Sequence, residues 1–171
     1  MATQGTHQLG PDNARLTVHT KRTGAVAKAG HDLTIEVTSW HGGLDLSGEP
    51  KVEVEVDSTS FKVLEGTGGM KALDDDDKAN IHQTIDDEVL LKRPIRFSST
   101  EVRADDGNLS VTGDLTLNEH THPITFDLVV DGEGHVRGSA VVKQTQWGMK
   151  PYTALFGALK VADEVEVRIE A

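Results

Sequence analysis

Between Lys51 and Asp57, valines alternate with charges: Val52, Val54 and Val56 are separated by Glu53 and Glu55. A β-strand sends successive side chains to opposite faces, so this segment predicts a strand with one dry face and one wet face. The same period of two returns at Leu16 and Val18, at Leu33, Ile35 and Val37, and at Ile95 and Phe97 after Pro94. It recurs at Leu109, Val111, Leu115 and Leu117, with Gly113 on the same parity. Ile124, Phe126, Leu128 and Val130 follow, then Val136, Gly138, Ala140 and Val142, and finally Val165, Val167 and Ile169. The parity predicts that Val52, Val54, Val56, Phe126, Leu128, Val165 and Val167 face the interior. Glu53, Glu55 and Glu166 should face water.

These segments amount to about eight strands, a number that closes into a barrel wide enough for a small ligand. Gly42-Gly43, Asp106-Gly107-Asn108 and Asp131-Gly132-Glu133-Gly134 read as turns between them, and links this short imply antiparallel hairpins. Gly113 and Gly138 inside strands predict bends or bulges. Two segments leave the period. From Asp74 to Leu91, Ile81, Ile85 and Val89 fall four apart, on one helical face. Asp74 to Asp77 stand at its start, where the helix dipole favours negative charge. The string Asp-Asp-Asp-Asp-Lys (74–78) has the form of a protease tag, but it opens a coherent helical pattern and is read as native. Pro151 predicts the start of a short helix running to Leu159. Residues 1–13 are polar and read as a flexible arm, ahead of a single domain over 14–171. A two-sheet sandwich has the same strand signature; the long helical excursion favours a barrel with an element lying across an opening.

Charge narrows the function. The formal net charge is −11, and such a surface repels the phosphates of nucleic acid and of anionic membranes. Aromatic residues make up 4%, which argues against base-stacking platforms. Cys is absent, which removes disulfides and thiolate metal ligands and fits a reducing compartment. The polar N-terminus lacks the build of a signal peptide, and no apolar run approaches membrane-span length. The expectation is a cytoplasmic protein without stable membrane attachment.

Histidine is abundant, with eight in the chain. His120 and His122 would project from one face of a strand, and His31 or His41 could supply a third metal ligand. The preferred reading is that these are independent, exposed turn-end histidines, so no metal and no cofactor is expected. Carboxylates are spread over the wet strand faces, and there is no nucleophile elbow or zinc-protease helix, so no catalytic residue is assigned. Gly66-Thr67-Gly68-Gly69 reads as a flexible loop. The stretch 144–152 is more telling, because it gathers Trp147, Met149 and Tyr152 just before Phe156 in a chain poor in aromatics. It reads equally as a pocket wall or as a core plug closing a barrel end. The candidate ligand-binding set is Trp147, Tyr152, Leu155, Phe156 and Leu159, with Arg22 and His31 to hold a head group.

Taken in order, these pieces resemble the YceI-like family of lipocalin-like, polyisoprenoid-binding barrels. The resemblance is carried by Gly30-His31-Asp32-Leu33, by Val56 to Ser60, and by Arg93-Pro94-Ile95-Arg96-Phe97-Ser98. Val111-Thr112-Gly113-Asp114-Leu115-Thr116, His122-Pro123-Ile124, Trp147-Gly148 and Val161 to Val167 complete it. It covers the chain from Arg15 to Ala171. It implies an extended eight-stranded antiparallel barrel that holds an isoprenoid-type or other long-chain amphiphilic lipid, with no fixed catalytic residue. The chain departs from the family in two places. Its N-terminus is not expected to be an export leader, and Lys143-Gln144-Thr145-Gln146 stand where members often carry an Arg before the late turn. The resulting expectation is a binding or carrier protein, with a homodimer left open. Its rivals are a metal-dependent enzyme using His31, His120 and His122, and a stress-related protein whose barrel is filled by side chains.

Overall fold

The computed structural model describes residues 6–23, 32–67, 73–105, 108–154 and 159–171, and nearly all of them lie in or between strands. In chain order the strands are β1 (Thr6–Leu9), β2 (Arg15–His19), β3 (Arg22–Thr23), β4 (Asp32–Val37) and β5 (Trp40–Asp45). Next come β6 (Lys51–Val56), β7 (Phe61–Thr67), β8 (Ile95–Asp105), β9 (Asn108–Leu117) and β10 (His120–Val130). The last are β11 (Val136–Lys143), β12 (Thr153–Ala154), β13 (Leu159–Val161) and β14 (Glu164–Glu170). One helix, α1 (Asp75–Thr84), runs into a π-helical turn (Ile85–Val89) between β7 and β8. Among the described residues no helix is long and apolar enough to cross a membrane.

Eleven strands form one sheet in the order β1-β5-β6-β8-β9-β10-β11-β14-β2-β4-β7. Its ends are joined through the chain. β4 pairs with β7 and β5 with β6, while only Thr38 and Ser39 separate β4 from β5. The Thr38 N–H donates to the Ser60 carbonyl at 2.9 Å and the Asp57 N–H to the Ser39 carbonyl at 3.0 Å, bridging the two halves of this kinked hairpin. The sheet therefore curls around one apolar interior.

The expected count of about eight strands is corrected to eleven in this sheet. Kinks at Ser39 and at 57–60 divide two long strands, and Thr6–Leu9 adds an edge strand paired with β5 where a flexible arm was expected. Gly42-Gly43 is not a turn either. It lies within β5, opposite Val54 and Glu53. A Cβ on Gly42 would stand 3.4 Å from the Trp40 ring, so the indole lies over a strand glycine rather than a chain reversal. Gly66, read as loop, pairs with Leu33 in β7.

Other expectations hold. The parity is kept: Val52 and Leu128 are buried, while Val54, Val56, Phe126, Val165 and Val167 are half-buried and line the interior. Glu53 and Glu55 are exposed, and Glu166 is half-exposed beside Arg168. Gly113 lies where a Cβ would come within 2.5 Å of the Ser98 carbonyl, next to a register shift between Ser99 and Glu101. The curvature there leaves no room for a side chain.

The segment from Asp74 is helical as expected. Asp74 caps it, accepting from the Asp77 N–H at 2.8 Å while the Asp77 carboxylate accepts from the Asp74 N–H at 3.2 Å. Ile85 and Leu90 are buried, and His82 Nδ1 donates to the Phe61 carbonyl. The helix thus packs on β7, the last strand of the order, and covers an edge that no other strand covers.

The short helix expected from Pro151 to Leu159 is absent from the described part of that span. Thr153–Ala154 pairs with β13, and β13 with β3, in a small three-stranded sheet. Peptide groups here bond across the hairpin, as from the Val161 N–H to the Tyr152 carbonyl at 3.0 Å, instead of along a helical ladder. The helical turn comes earlier, as a 3-10 turn over Gln144–Trp147 ended by Gly148 at φ 69°.

Candidate ligand-binding cavity

The curl encloses a cavity of about 310 Å³. Every long strand contributes to its wall: Leu16 and Val18 from β2, Ile35 and Val37 from β4, Leu44 from β5, Val54 and Val56 from β6, and Phe61 from β7. Phe97, Leu115, Phe126, Ala140 and Val167 continue it round β8, β9, β10, β11 and β14. Ile85 and Leu90 reach in from the π turn and its end. Polar side chains on the wall are few, among them Thr20, Thr84, Gln144 and Tyr152. The half-burial of Val54, Val56, Phe126, Val165 and Val167 has its cause here, because their open faces look onto the cavity rather than onto packed neighbours. Phe97 and Phe126 meet in a tilted pair, ring centroids 5.2 Å apart, above the space left by Gly113. Such a space favours an apolar guest.

The candidate residues from the sequence divide sharply. Tyr152 lines the cavity and is 43% exposed, which suits a rim position. Trp147 does not line it. Its side chain is completely buried, Nε1 donates to the Leu115 carbonyl at 2.9 Å, and its own carbonyl accepts from Asn118 Nδ2 at 3.0 Å. Of the two sequence readings, Trp147 follows the core plug. Arg22 is half-buried, with its main-chain N–H bonded to Asp32 Oδ1 at 2.8 Å, and it is not part of the cavity wall. His31, Leu155 and Phe156 lie outside the described residues, as does the side chain of Leu159 on β13.

The histidine pair does not gather further ligands. His122 stands edge-on to Trp147 at 5.6 Å, and His120 Nδ1 donates to the Asn118 carbonyl at 2.7 Å. His41 is 3.5 Å from Glu55 on the outside of the sheet. Among the described residues no three metal-ligating side chains converge.

Sequence reading missed Trp40, the one tryptophan on the cavity wall. Trp40, Gly42 and Leu44 share a parity and are all buried, a signal hidden by taking the two glycines for a turn. Trp40 Nε1 is buried without a hydrogen-bond partner. Leu9 from β1 and Leu90 after the helix were missed as well; neither belongs to a periodic run.

Comparison with known proteins agrees with this geometry. The family model described as the YceI-like domain matches residues 8–171. Among solved structures, BcnA of Burkholderia cenocepacia superposes with a TM-score of 0.66 at 13% identity, over 92% of this chain and 94% of that one. A polyisoprenoid binding domain from Saccharophagus degradans, implicated in plant cell wall breakdown, gives 0.59 at 10% identity over 98% and 96%. The YCEI protein of Campylobacter jejuni gives 0.54 at 16% identity over 80% and 81%. No curated protein matches the chain.

Proposed function

Because the chain belongs to the YceI-like family, we propose that its interior holds an isoprenoid-type or other long-chain amphiphilic lipid, as a binding or carrier protein without a catalytic step. In this reading the working unit is a single domain to which the segment expected as an arm contributes β1, a lipocalin-like barrel of eight long strands when each kinked strand is counted once. The observation that carries it is the cavity of about 310 Å³, apolar on nearly every side. Burying a tail of about ten methylene equivalents gains roughly 8 kcal/mol before ordering costs, which corresponds to micromolar affinity when those costs are small. Tyr152, half out of the cavity, is placed to meet a polar head with its hydroxyl and a tail with its ring.

The decisive experiment is mass spectrometry of the organic extract of purified protein, followed by titration of the delipidated protein with a fluorescent isoprenoid. A bound long-chain lipid and saturable binding at about one per chain are expected. A clean extract together with no saturable binding refutes the reading. The cytoplasmic placement belongs to the same proposal and is checked by cell fractionation; light scattering decides between a monomer and a homodimer.

A further inference from the structure

β10 and β11 are 11 and 8 residues long, yet they pair only from Asp127 to Val130 against Val136 to Ser139. On their other flanks both are paired much further, β10 with β9 from His120 to Val129 and β11 with β14 from Arg137 to Lys143. The wall therefore splits into a wedge beyond Asp127 and Ser139. The far end of the wedge is stoppered by Trp147, which stands against His122, and by Gly148, which stands against His120.

The wedge joins two spaces. Phe126 and Ile169, which line the interior cavity, also line a groove on the outer face of the sheet. Gly138, Ser139 and Ala140 line both spaces too, and they are the smallest residues of β11. The outer groove is flanked by Val129 and Val141, exposed by 40% and 59%.

We propose that this wedge is the port through which a linear apolar chain slips sideways between β10 and β11 into the cavity. The proposal rests on the reading that the cavity holds such a chain. Passage between any fully laddered pair of strands would break a run of hydrogen bonds. Beyond Asp127 and Ser139 there is no β10–β11 ladder to break, and Ala140, the first residue of β11 past the ladder, carries only a methyl group. The two exposed valines give the incoming tail an apolar approach.

The test uses the absence of native Cys. Continuing the register of Asp127 with Ser139 sets Thr125 opposite Val141. Both are exposed, and neither lines the cavity. In the double variant Thr125→Cys/Val141→Cys, an oxidised cross-link closes the wedge. Stopped-flow binding of dansyl-labelled geranylgeraniol is then compared before and after reduction. Association and dissociation should both slow by about tenfold or more on oxidation, with the affinity unchanged, and both should recover with reductant. Unchanged rates in protein shown by mass to be cross-linked overturn the port. Should the disulfide fail to close, Val141→Cys carrying a pyrene maleimide adduct takes its place; slowing supports the port and unchanged rates overturn it. If wild type does not bind the probe, the cavity reading falls and the port with it, whereas binding with unaltered rates removes the port alone.

Discussion

Both tryptophans of the chain are buried, yet only Trp40 meets the cavity. Trp147 spends its N–H on the Leu115 carbonyl. Trp147→Phe should therefore cost about 1–2 kcal/mol by orphaning that carbonyl, without changing lipid affinity. Trp40→Phe removes an N–H that has no partner, so its cost in stability should be smaller. It should also abolish the change in tryptophan emission on lipid binding. Urea denaturation and fluorescence titration of the two variants check both statements. A third residue responds to pH. Burial holds His19 below the ordinary imidazole value, with Arg168 adding to the effect and Glu166 opposing it. The unfolded chain then takes up the proton more readily than the folded one. His19 costs no stability above about pH 6.5 and destabilises progressively as the pH falls below it, toward the folded value. Melting temperatures between pH 7.5 and 5.5 should fall less in His19→Gln than in wild type; an identical fall counts against this account. None of these three roles was visible in composition, because each depends on a partner distant in sequence.

At the scale of the element, what the sequence displays best is period and capping. The parity of β6, β9, β10 and β14 and the acidic start of α1 are local patterns, and both match the structure. Glycines were harder, since the same residue marks a turn, a bend or a close approach. Gly113 was read as a bend and is one; Gly42 was read as a turn and is covered by an indole. The tail of the chain misled for a different reason. Pro151 fits the first position of a helix, but its neighbours find their hydrogen bonds in β13 and β3, a pairing that no local window contains. The structural demand at Gly113 gives a direct test. An alanine Cβ would meet the Ser98 carbonyl at 2.5 Å and the Ser99 Cα at 2.6 Å, both backbone atoms that cannot step aside. Gly113→Ala should destabilise by about 1–3 kcal/mol through overpacking, read by chemical denaturation. Alanine tolerated without loss would mean that the strands separate more readily than this packing implies.

For the molecule as a whole, an apolar cavity couples stability to occupancy. A ligand that binds only the folded chain adds about 2.7 kcal/mol when present at a hundred times its dissociation constant. Organic extraction should accordingly lower the melting temperature by several degrees, and re-addition of lipid should restore it in proportion to the logarithm of its concentration. A melting point indifferent to extraction is what a solidly filled interior would give. The identity of the cavity's wall was largely legible from alternation. Its closure was not, because closure depends on two kinks and on the covering of β7 by α1, which only the assembled chain reveals.

The pairing of β2 with β14 joins Leu16 to Ile169 and Arg15 to Glu170. Nearly the whole chain lies between those partners, and loop closure of that length is entropically the dearest of all the pairings. On the ribosome β2 emerges well ahead of this neighbour. During that interval β2 and β11 each present an open edge able to recruit strands from other chains. A nascent chain stalled before residue 164 should thus be a strong client for chaperones and prone to aggregate. Moving β14 ahead of β2 by circular permutation should make refolding faster, since topology rather than composition sets its pace.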